Sequence, residues 1–472
     1  MKHQEQVDIL VIGWGKGGKT LAGAMGRAGK RVALVEQDPM MVGGTCINVA
    51  CVPTKALIHD AAARRPQDEP SAWFSDAVAR RDELTAAMRK KNHSLLDEVD
   101  TVLLVSGRAV FTGPREVTVA QGADELRIVA RTVVINTGSR PNVPGIPGLD
   151  GAPLGATVHD STTLQHADPL PRSLVVVGGG YVGLEFASMF RHFGSEVTVL
   201  DRGSRPLRRE DDDVAATAVE IMEGDGVRFV AGAAVARIDP GTDRARVTYE
   251  ADGSRESITA EAVLLAVGRT PATDGLGLEA AGVEVDEHGF VVVDDHLRTS
   301  AEGVFAIGDV KGAPMFTYTS LDDYRIVADQ LVGDGVRTTG DRVVPYTLFL
   351  TPPLARVGVT TKQAEDSGRD VLVATRKVAD IAAMPRPKIE GDSRGIVKFV
   401  VDAATDEVLG AAMMHVHAEE VINLVAMAMR HGITASQLRD GVYTHPSATE
   451  ALNEVLGGLR PIPSRDGSMG QS

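Results

Sequence analysis

Cys46 and Cys51 are the only cysteines in this chain of 472 residues, and they stand five positions apart in Gly43-Gly44-Thr45-Cys46-Ile47-Asn48-Val49-Ala50-Cys51-Val52-Pro53-Thr54-Lys55. Two thiols kept as near neighbours behind a nucleotide-binding pattern point to reversible thiol–disulfide chemistry. On an ideal helix positions i and i+5 lie about 7.5 Å apart along the axis, too far for relaxed disulfide geometry. A bridge between them requires the first helical turn to distort, and a distorted bridge is more readily reduced. The spacing also fits two buried, reduced cysteines serving as small apolar core residues, so the surrounding motifs must decide. Two thiols without nearby histidines make a poor zinc site, and no metal is assigned to them.

A glycine fingerprint occurs twice. Val11-Ile12-Gly13-Trp14-Gly15-Lys16-Gly17-Gly18 ends one strand pattern and opens a helix, with Glu36 after the next strand; Val177-Gly178-Gly179-Gly180-Tyr181-Val182-Gly183 repeats it, with Asp201. Each acid follows its first glycine by 23 positions (36 − 13 and 201 − 178). Two such patterns in register, each in strand–turn–helix context, indicate two dinucleotide sites. Gly13 and Gly178 allow the tight turn, Gly15 and Gly180 let a pyrophosphate approach the backbone, and Gly18 and Gly183 let helix and sheet pack closely; the phosphates then sit at a helix N-terminus. Glycine-rich turns without a ligand are the competing reading. Two further strand-plus-turn stretches, ending at Gly138 and Gly268, match each other, and a third buried strand runs into Gly308-Asp309.

The elements that position these groups belong to a large α/β protein. The length suggests about three to four domains. With 64 acidic against 49 basic side chains the net charge is −15, which argues against nucleic acid or an anionic membrane as partner. The N-terminus runs directly into the strand-like Val7-Asp8-Ile9-Leu10-Val11-Ile12 without a long apolar stretch or cleavage site, so a soluble cytoplasmic protein is expected. In that reducing compartment a close cysteine pair is expected to be catalytic or metal-binding rather than structural.

Taken together, these motifs resemble the flavoprotein disulfide reductases that include glutathione reductase, dihydrolipoamide dehydrogenase and mercuric reductase, and the resemblance covers nearly the whole chain. It implies two Rossmann-like dinucleotide-binding domains, glutathione reductase-like, plus a C-terminal α+β dimerisation domain. The implied boundaries are an FAD-binding domain over 1–152, an NAD(P)-binding domain over 153–272, a central domain completing the FAD site over 273–344, and an interface domain over 345–472. By the resemblance Glu36 serves FAD, Asp201 serves NADH or NADPH, and Asp309 bonds the flavin ribityl chain. Trp14 and Lys16 depart from the small residues common inside the first fingerprint; Lys16 either adds a cation near the pyrophosphate or faces solvent. Asp201 favours NADH by accepting from a ribose 2′-hydroxyl, although Arg202 and Arg205 lie close enough in sequence to serve NADPH.

Cys51 and Lys55 are four apart and share a helix face. The resemblance places Lys55 beside the flavin, paired with Glu185, makes Cys51 the flavin-facing thiolate and Cys46 the outer thiol that meets substrate. Tyr181 matches the residue covering the nicotinamide pocket in several relatives, and equally fits plain packing at a helix start. A histidine held by a carboxylate can carry a proton near neutrality, and His445 with Glu450 is such a dyad, supplied in the family by the second subunit of a homodimer. Ser447-x-x-Glu450 also reads as a helix capping box with His445 incidental.

Several segments, among them Phe316-Thr317-Tyr318-Thr319-Ser320-Leu321 and Ala383-Met384-Pro385-Arg386-Pro387-Lys388, resemble the bacterial reactive-chlorine-resistance flavoproteins, hypothiocyanous acid reductases also reported to reduce copper(II). That branch implies a small-molecule oxidant as substrate. The alternatives are dihydrolipoamide dehydrogenase and, from another class, a flavin-bound redox sensor or scaffold without turnover. Mercuric reductase and the large thioredoxin reductases are disfavoured because the tail from Ile462 to Ser472 lacks a cysteine pair. Met413-Met414-His415-Val416-His417 offers soft ligands, with both histidines expected on one face of a strand; core methionines and ordinary interface histidines are the competing reading.

Overall fold

The computed structural model describes residues 2–122, 124–149 and 151–462; the tail beyond Ile462 lies outside the described residues. The chain forms two compact units, one built from its start to Pro144, His159–Leu170 and Leu265–Asp341, the other from Gly145–Val158, Pro171–Leu264 and the chain from Arg342 onward.

In the first unit the strand Lys2–Ile12 carries the run Val7, Ile9, Leu10, Val11, Ile12, all buried. Apolar side chains on both faces are the mark of a parallel strand covered on two sides. It pairs in parallel with Val32–Glu36 and with Asp124–Ile135. The sheet order is Val102–Ser106, Val32–Glu36, Lys2–Ile12, Asp124–Ile135, Glu116–Gln121, Arg108–Gly113, with the short strand Val304–Ala306 added in parallel beside Asp124–Ile135. The helix Lys16–Arg27 follows the first strand directly. A Cβ on Gly17 would come within 2.5 Å of the Ser320 carbonyl, so this glycine permits the close approach of the helix Thr317–Val332.

The second unit holds Ser173–Val177, Glu196–Asp201 and Val227–Ala231 in a parallel sheet, with the helix Tyr181–Phe193 after the first of them. A three-stranded antiparallel ribbon spans 234–260. The C-terminal six-stranded sheet is ordered Tyr346–Leu348, Leu354–Gly358, Val408–Met414, Ile396–Asp402, Val371–Lys377, Arg460–Pro461. Its core includes Val397, Phe399 and Met413 with the helix residues Val421, Val425, Leu452 and Val455. Among the described residues no helix is long and apolar enough to cross a membrane.

The strand expected to carry His415 and His417 ends at Met414. Beyond it the chain turns, with His417 at φ +66, and enters the helix Ala418–Arg430. His415 is fully buried, bonded through Nδ1 to the Val416 carbonyl at 2.7 Å, and burial pushes it down to about 4. His417 instead reaches Glu390 at 2.7 Å. The two imidazoles therefore have separate partners, and no shared strand face exists to hold a metal.

Candidate active site

The spacing of the two cysteines becomes a contact because the helix breaks between them. Thr45–Asn48 makes one turn, Ala50 leaves helical geometry at φ −127, ψ −105, and the helix resumes as Cys51–Ala63. This is the distortion that an i,i+5 pair requires. Both cysteines are thiols, Cys46 partly buried and Cys51 exposed. The hydrogen bond to Cys51 holds the Cys46 thiol well above the ordinary range, burial adds to this, and the Thr317 hydroxyl and the Lys19 cation oppose it.

Thr317 was not singled out as a site residue by the sequence, yet its hydroxyl bonds Cys46 and lies 3.7 Å from the Cys51 sulfur. It opens the 16-residue helix Thr317–Val332, whose N-terminal dipole favours negative charge on a neighbouring thiolate. Replacing Thr317 by valine keeps the shape and removes the hydroxyl, so Cys46 should ionise at higher pH. At neutral pH its alkylation by iodoacetamide should slow about tenfold, as expected for loss of one hydrogen bond to a charged sulfur. An unchanged pH profile of alkylation would show that the hydroxyl does not stabilise the thiolate.

The first fingerprint is built as its spacing predicts. Gly13 has φ +100, and a Cβ there would strike the Asn136 carbonyl at 2.4 Å. The Glu36 carboxylate accepts from the Trp14, Gln37 and Asp38 N–H groups at 3.0, 2.9 and 3.2 Å. Burial nevertheless raises its pKa against those bonds. Trp14 is buried and stacks on His93 with centroids 5.8 Å apart, so the unusual residue inside the fingerprint is a core side chain. Its indole Nε1 has no hydrogen-bond partner among the described residues, and a cavity of about 490 Å³ bordered by Trp14, Glu36, Arg89 and His93 adjoins it. Asp309 accepts from the Ser139 hydroxyl at 2.8 Å, with Arg269 at 4.0 Å. Gly138 and Gly268 take φ +75 and +115, and the segments after them pair as an antiparallel ribbon, Ser139–Pro141 against Arg269–Pro271. A glycine turn, a helix N-terminus, an acid beside a cavity and an unpaired indole N–H fit the adenosine and pyrophosphate of FAD.

The second fingerprint repeats the construction. Gly178 has φ +112 and a Cβ on Gly180 would meet nothing within 4 Å, leaving the backbone open to a pyrophosphate. Gly183 lies buried in the helix. Asp201 accepts from the Gly179 N–H at 2.7 Å and the Gly203 N–H at 2.6 Å. Gly179 and Trp14 are the residues after the first glycine in their fingerprints, so both acids anchor the same turn position. The Tyr181 hydroxyl bonds Glu210 at 2.9 Å and Tyr346 at 3.1 Å; burial, then the Glu210 charge, push it up to about 12.

Lys55 stands one turn beyond Cys51 in the first unit, 3.4 Å from the Thr54 hydroxyl. Glu185, in the second unit, is buried and accepts from the Phe349 N–H at 2.9 Å. His445 is 70% exposed, with Nδ1 2.9 Å from Glu450. The other Glu450 oxygen accepts from the Ser447 N–H at 2.8 Å, so one carboxylate holds the histidine and half of the capping arrangement together.

Two family models match the chain: pyridine nucleotide-disulphide oxidoreductase over residues 7–323 and the dimerisation domain of the same enzymes over 344–456. A relative from Escherichia coli (strain K12), named "Probable pyridine nucleotide-disulfide oxidoreductase RclA", is 44% identical over 95% of this chain and 98% of its own length. A dihydrolipoyl dehydrogenase of Thermus scotoductus is 34% identical over 96% of this chain and 97% of its own. Among solved structures, a Cu(II) complex of the HOCl-induced flavoprotein disulfide reductase RclA from Escherichia coli superposes with a TM-score of 0.89 at 43% identity, covering 96% of this chain and 99% of that one.

Proposed function

The chain belongs to the pyridine nucleotide-disulfide oxidoreductases, flavoenzymes that use FAD and NAD(P)H, and from that premise we propose that it reduces hypothiocyanous acid to thiocyanate with NADH, as a cytoplasmic homodimer in oxidative-stress defence. The observation that carries this reading is the thiol pair in contact across a helix break, in a chain with no other cysteine. A small electrophilic sulfur needs neither a large disulfide pocket nor a second dithiol. The similarity to an HOCl-induced reductase supports the same branch over dihydrolipoamide dehydrogenase. Copper(II) is a further candidate oxidant, supported by the Cu(II) complex of that neighbour.

When bound, FAD and NADH supply the electron pair that reopens the Cys46–Cys51 disulfide. The Cys46 thiolate attacks the sulfur of hypothiocyanous acid; an S–S bond forms, the S–O bond breaks, and hydroxide leaves to become water. The Cys51 thiolate then attacks the Cys46 sulfur and expels thiocyanate as the disulfide closes. In sum, hypothiocyanous acid and NADH give thiocyanate, water and NAD⁺. Lys55 holds positive charge one helical turn from Cys51, and the exposed His445, oriented by Glu450, serves as acid–base partner to the other subunit's Cys46. Glu36, Gly13, Gly15, Gly18, Gly138 and Asp309 hold FAD; Gly178, Gly180, Tyr181, Gly183, Asp201 and Gly268 hold the nicotinamide cofactor. Steady NADH oxidation on addition of hypothiocyanous acid tests the reading. Its absence in the flavin-loaded protein would exclude turnover and favour the sensor.

The bonding of Arg205 and the charge of Asp201 favour NADH over NADPH, and the exposed Arg202 is the remaining cation for a 2′-phosphate. Arg205 is occupied within its own loop, donating to the carbonyls of Pro206, Leu207 and Glu210 at 3.2, 2.8 and 3.0 Å and to Asp212 at 2.6 Å. It has no free fork for a 2′-phosphate, which would also face Asp201. A few kcal/mol of like-charge repulsion gives roughly a hundredfold higher kcat/KM for NADH. An efficiency with NADPH equal or greater would contradict this assignment.

A further inference from the structure

The break between the two cysteines leaves a backbone carbonyl that its own helix cannot satisfy. In a continuous helix the Val49 carbonyl would accept from the N–H of residue 53, but residue 53 is proline and has none. The donor comes from 116 positions away: the Gln165 Nε2 donates to the Val49 carbonyl at 2.9 Å and to the Ser161 carbonyl at 2.6 Å. Gln165 is 1% exposed, and its Oε1 has no hydrogen-bond partner among the described residues. A buried amide oxygen without a partner is costly. A leucine or methionine would avoid that cost but would supply no N–H to the Val49 carbonyl.

The glutamine is itself held. Arg81, 2% exposed, donates to the Gln165 carbonyl at 3.1 Å and reaches His166 Nδ1 at 3.1 Å. Arg89, two turns along the same helix Pro70–Asp97, donates to the Asn48 side chain at 3.2 Å. Asn48 in turn donates to the Val42 and Gly44 carbonyls, both at 2.9 Å. The helix thus braces the segment between the cysteines at two adjacent residues, Asn48 directly and Val49 through Gln165.

We propose that Gln165 is a positioning residue for the cysteine pair, supplying the hydrogen bond that Pro53 cannot and thereby setting the balance between dithiol and disulfide. This rests on the reading of Cys46 and Cys51 as a reversible redox couple. With the segment fixed, the two sulfurs are already adjacent and closing the ring costs little further order. Without the Gln165 bond, the open dithiol can relax and solvate the Val49 carbonyl, whereas the closed ring cannot. The dithiol gains, and the couple shifts toward reduction.

The test uses the FAD-loaded, full-length protein equilibrated with mixtures of reduced and oxidised dithiothreitol, in which the disulfide and reduced dithiothreitol give two protein thiols and the oxidised reagent. The dithiol fraction is read by maleimide mass-tagging after acid quench. Gln165→Met removes the donor at similar length. Gln165→Leu removes the donor with an apolar side chain that has no polar atom to leave unpartnered. Each should shift the equilibrium about tenfold toward dithiol, a midpoint less negative by about 30 mV for this two-electron couple, with FAD content and melting temperature recorded alongside. Wild-type equilibrium constants in a folded, flavin-replete variant would overturn the role of Gln165. Failure of the wild-type protein to form a reversible Cys46–Cys51 disulfide would instead overturn the redox reading on which it rests.

Discussion

Cys51→Ser is expected to abolish both turnover and the long-wavelength absorption that follows two-electron reduction, whereas Cys46→Ser should abolish turnover and keep the absorption. The break at Val49 and Ala50 places the sulfurs in contact, and the bond to Cys51 raises the Cys46 pKa. In the proposed relay Cys51 is the flavin-facing thiolate, and a thiolate beside an oxidised flavin is what gives the band. Cys46 is needed to meet substrate, so losing either thiol removes a covalent step, at a cost of at least about a thousandfold in kcat. Anaerobic spectra of both variants after addition of NADH check the assignment. A band that survives in Cys51→Ser and vanishes in Cys46→Ser would exchange the two roles.

The second large effect concerns stability. Arg356 is 2% exposed and lies 3.0 Å from Glu210 and 3.2 Å from Asp211, both of them buried. Asp211 also accepts from the Thr361 N–H at 2.9 Å, and Lys398 lies 3.3 Å from it. Burial alone would raise the Asp211 pKa, but the charges of Lys398 and Arg356 hold it below the ordinary range. Glu210 additionally accepts from both Tyr181 and Tyr346. Arg356→Leu would leave two buried carboxylates short of their shared cation, a loss of about 3–5 kcal/mol. A fall in melting temperature on the order of 10 °C is expected, read by circular dichroism with FAD bound. A melting temperature within about 1 °C of wild type, well below the shift expected for such a loss, would mean that water or relaxation already compensates these carboxylates.

The parts of the site legible in sequence were those set by local backbone geometry. The two fingerprints and their acids fall in equivalent positions because a tight turn between strand and helix demands the same glycine conformation each time. The matched contacts of Glu36 with Trp14 and Asp201 with Gly179 follow from that equal spacing. The distortion between the cysteines was likewise foreseeable from helical rise alone. What supplies the missing donor was not: Pro53 announces an unsatisfied Val49 carbonyl, but only the folded chain brings Gln165 to it. Thr317 was visible as part of a motif and became a site residue only once its helix began beside both sulfurs. The histidines at 415 and 417 misled for the converse reason. Their alternation is that of a strand, and the strand stops one residue short of them.

In the proposed reaction the Cys46–Cys51 dithiol passes its electron pair to hypothiocyanous acid. The most direct test is rapid mixing of enzyme, reduced anaerobically by one equivalent of NADH, with hypothiocyanous acid, lipoamide or glutathione disulfide, following decay of the long-wavelength band. One equivalent of hypothiocyanous acid should discharge the band completely and faster than either disulfide at equal concentration, releasing one thiocyanate per dithiol oxidised. Rapid discharge by lipoamide with little or no response to hypothiocyanous acid would contradict it and identify the chain as a dihydrolipoamide dehydrogenase.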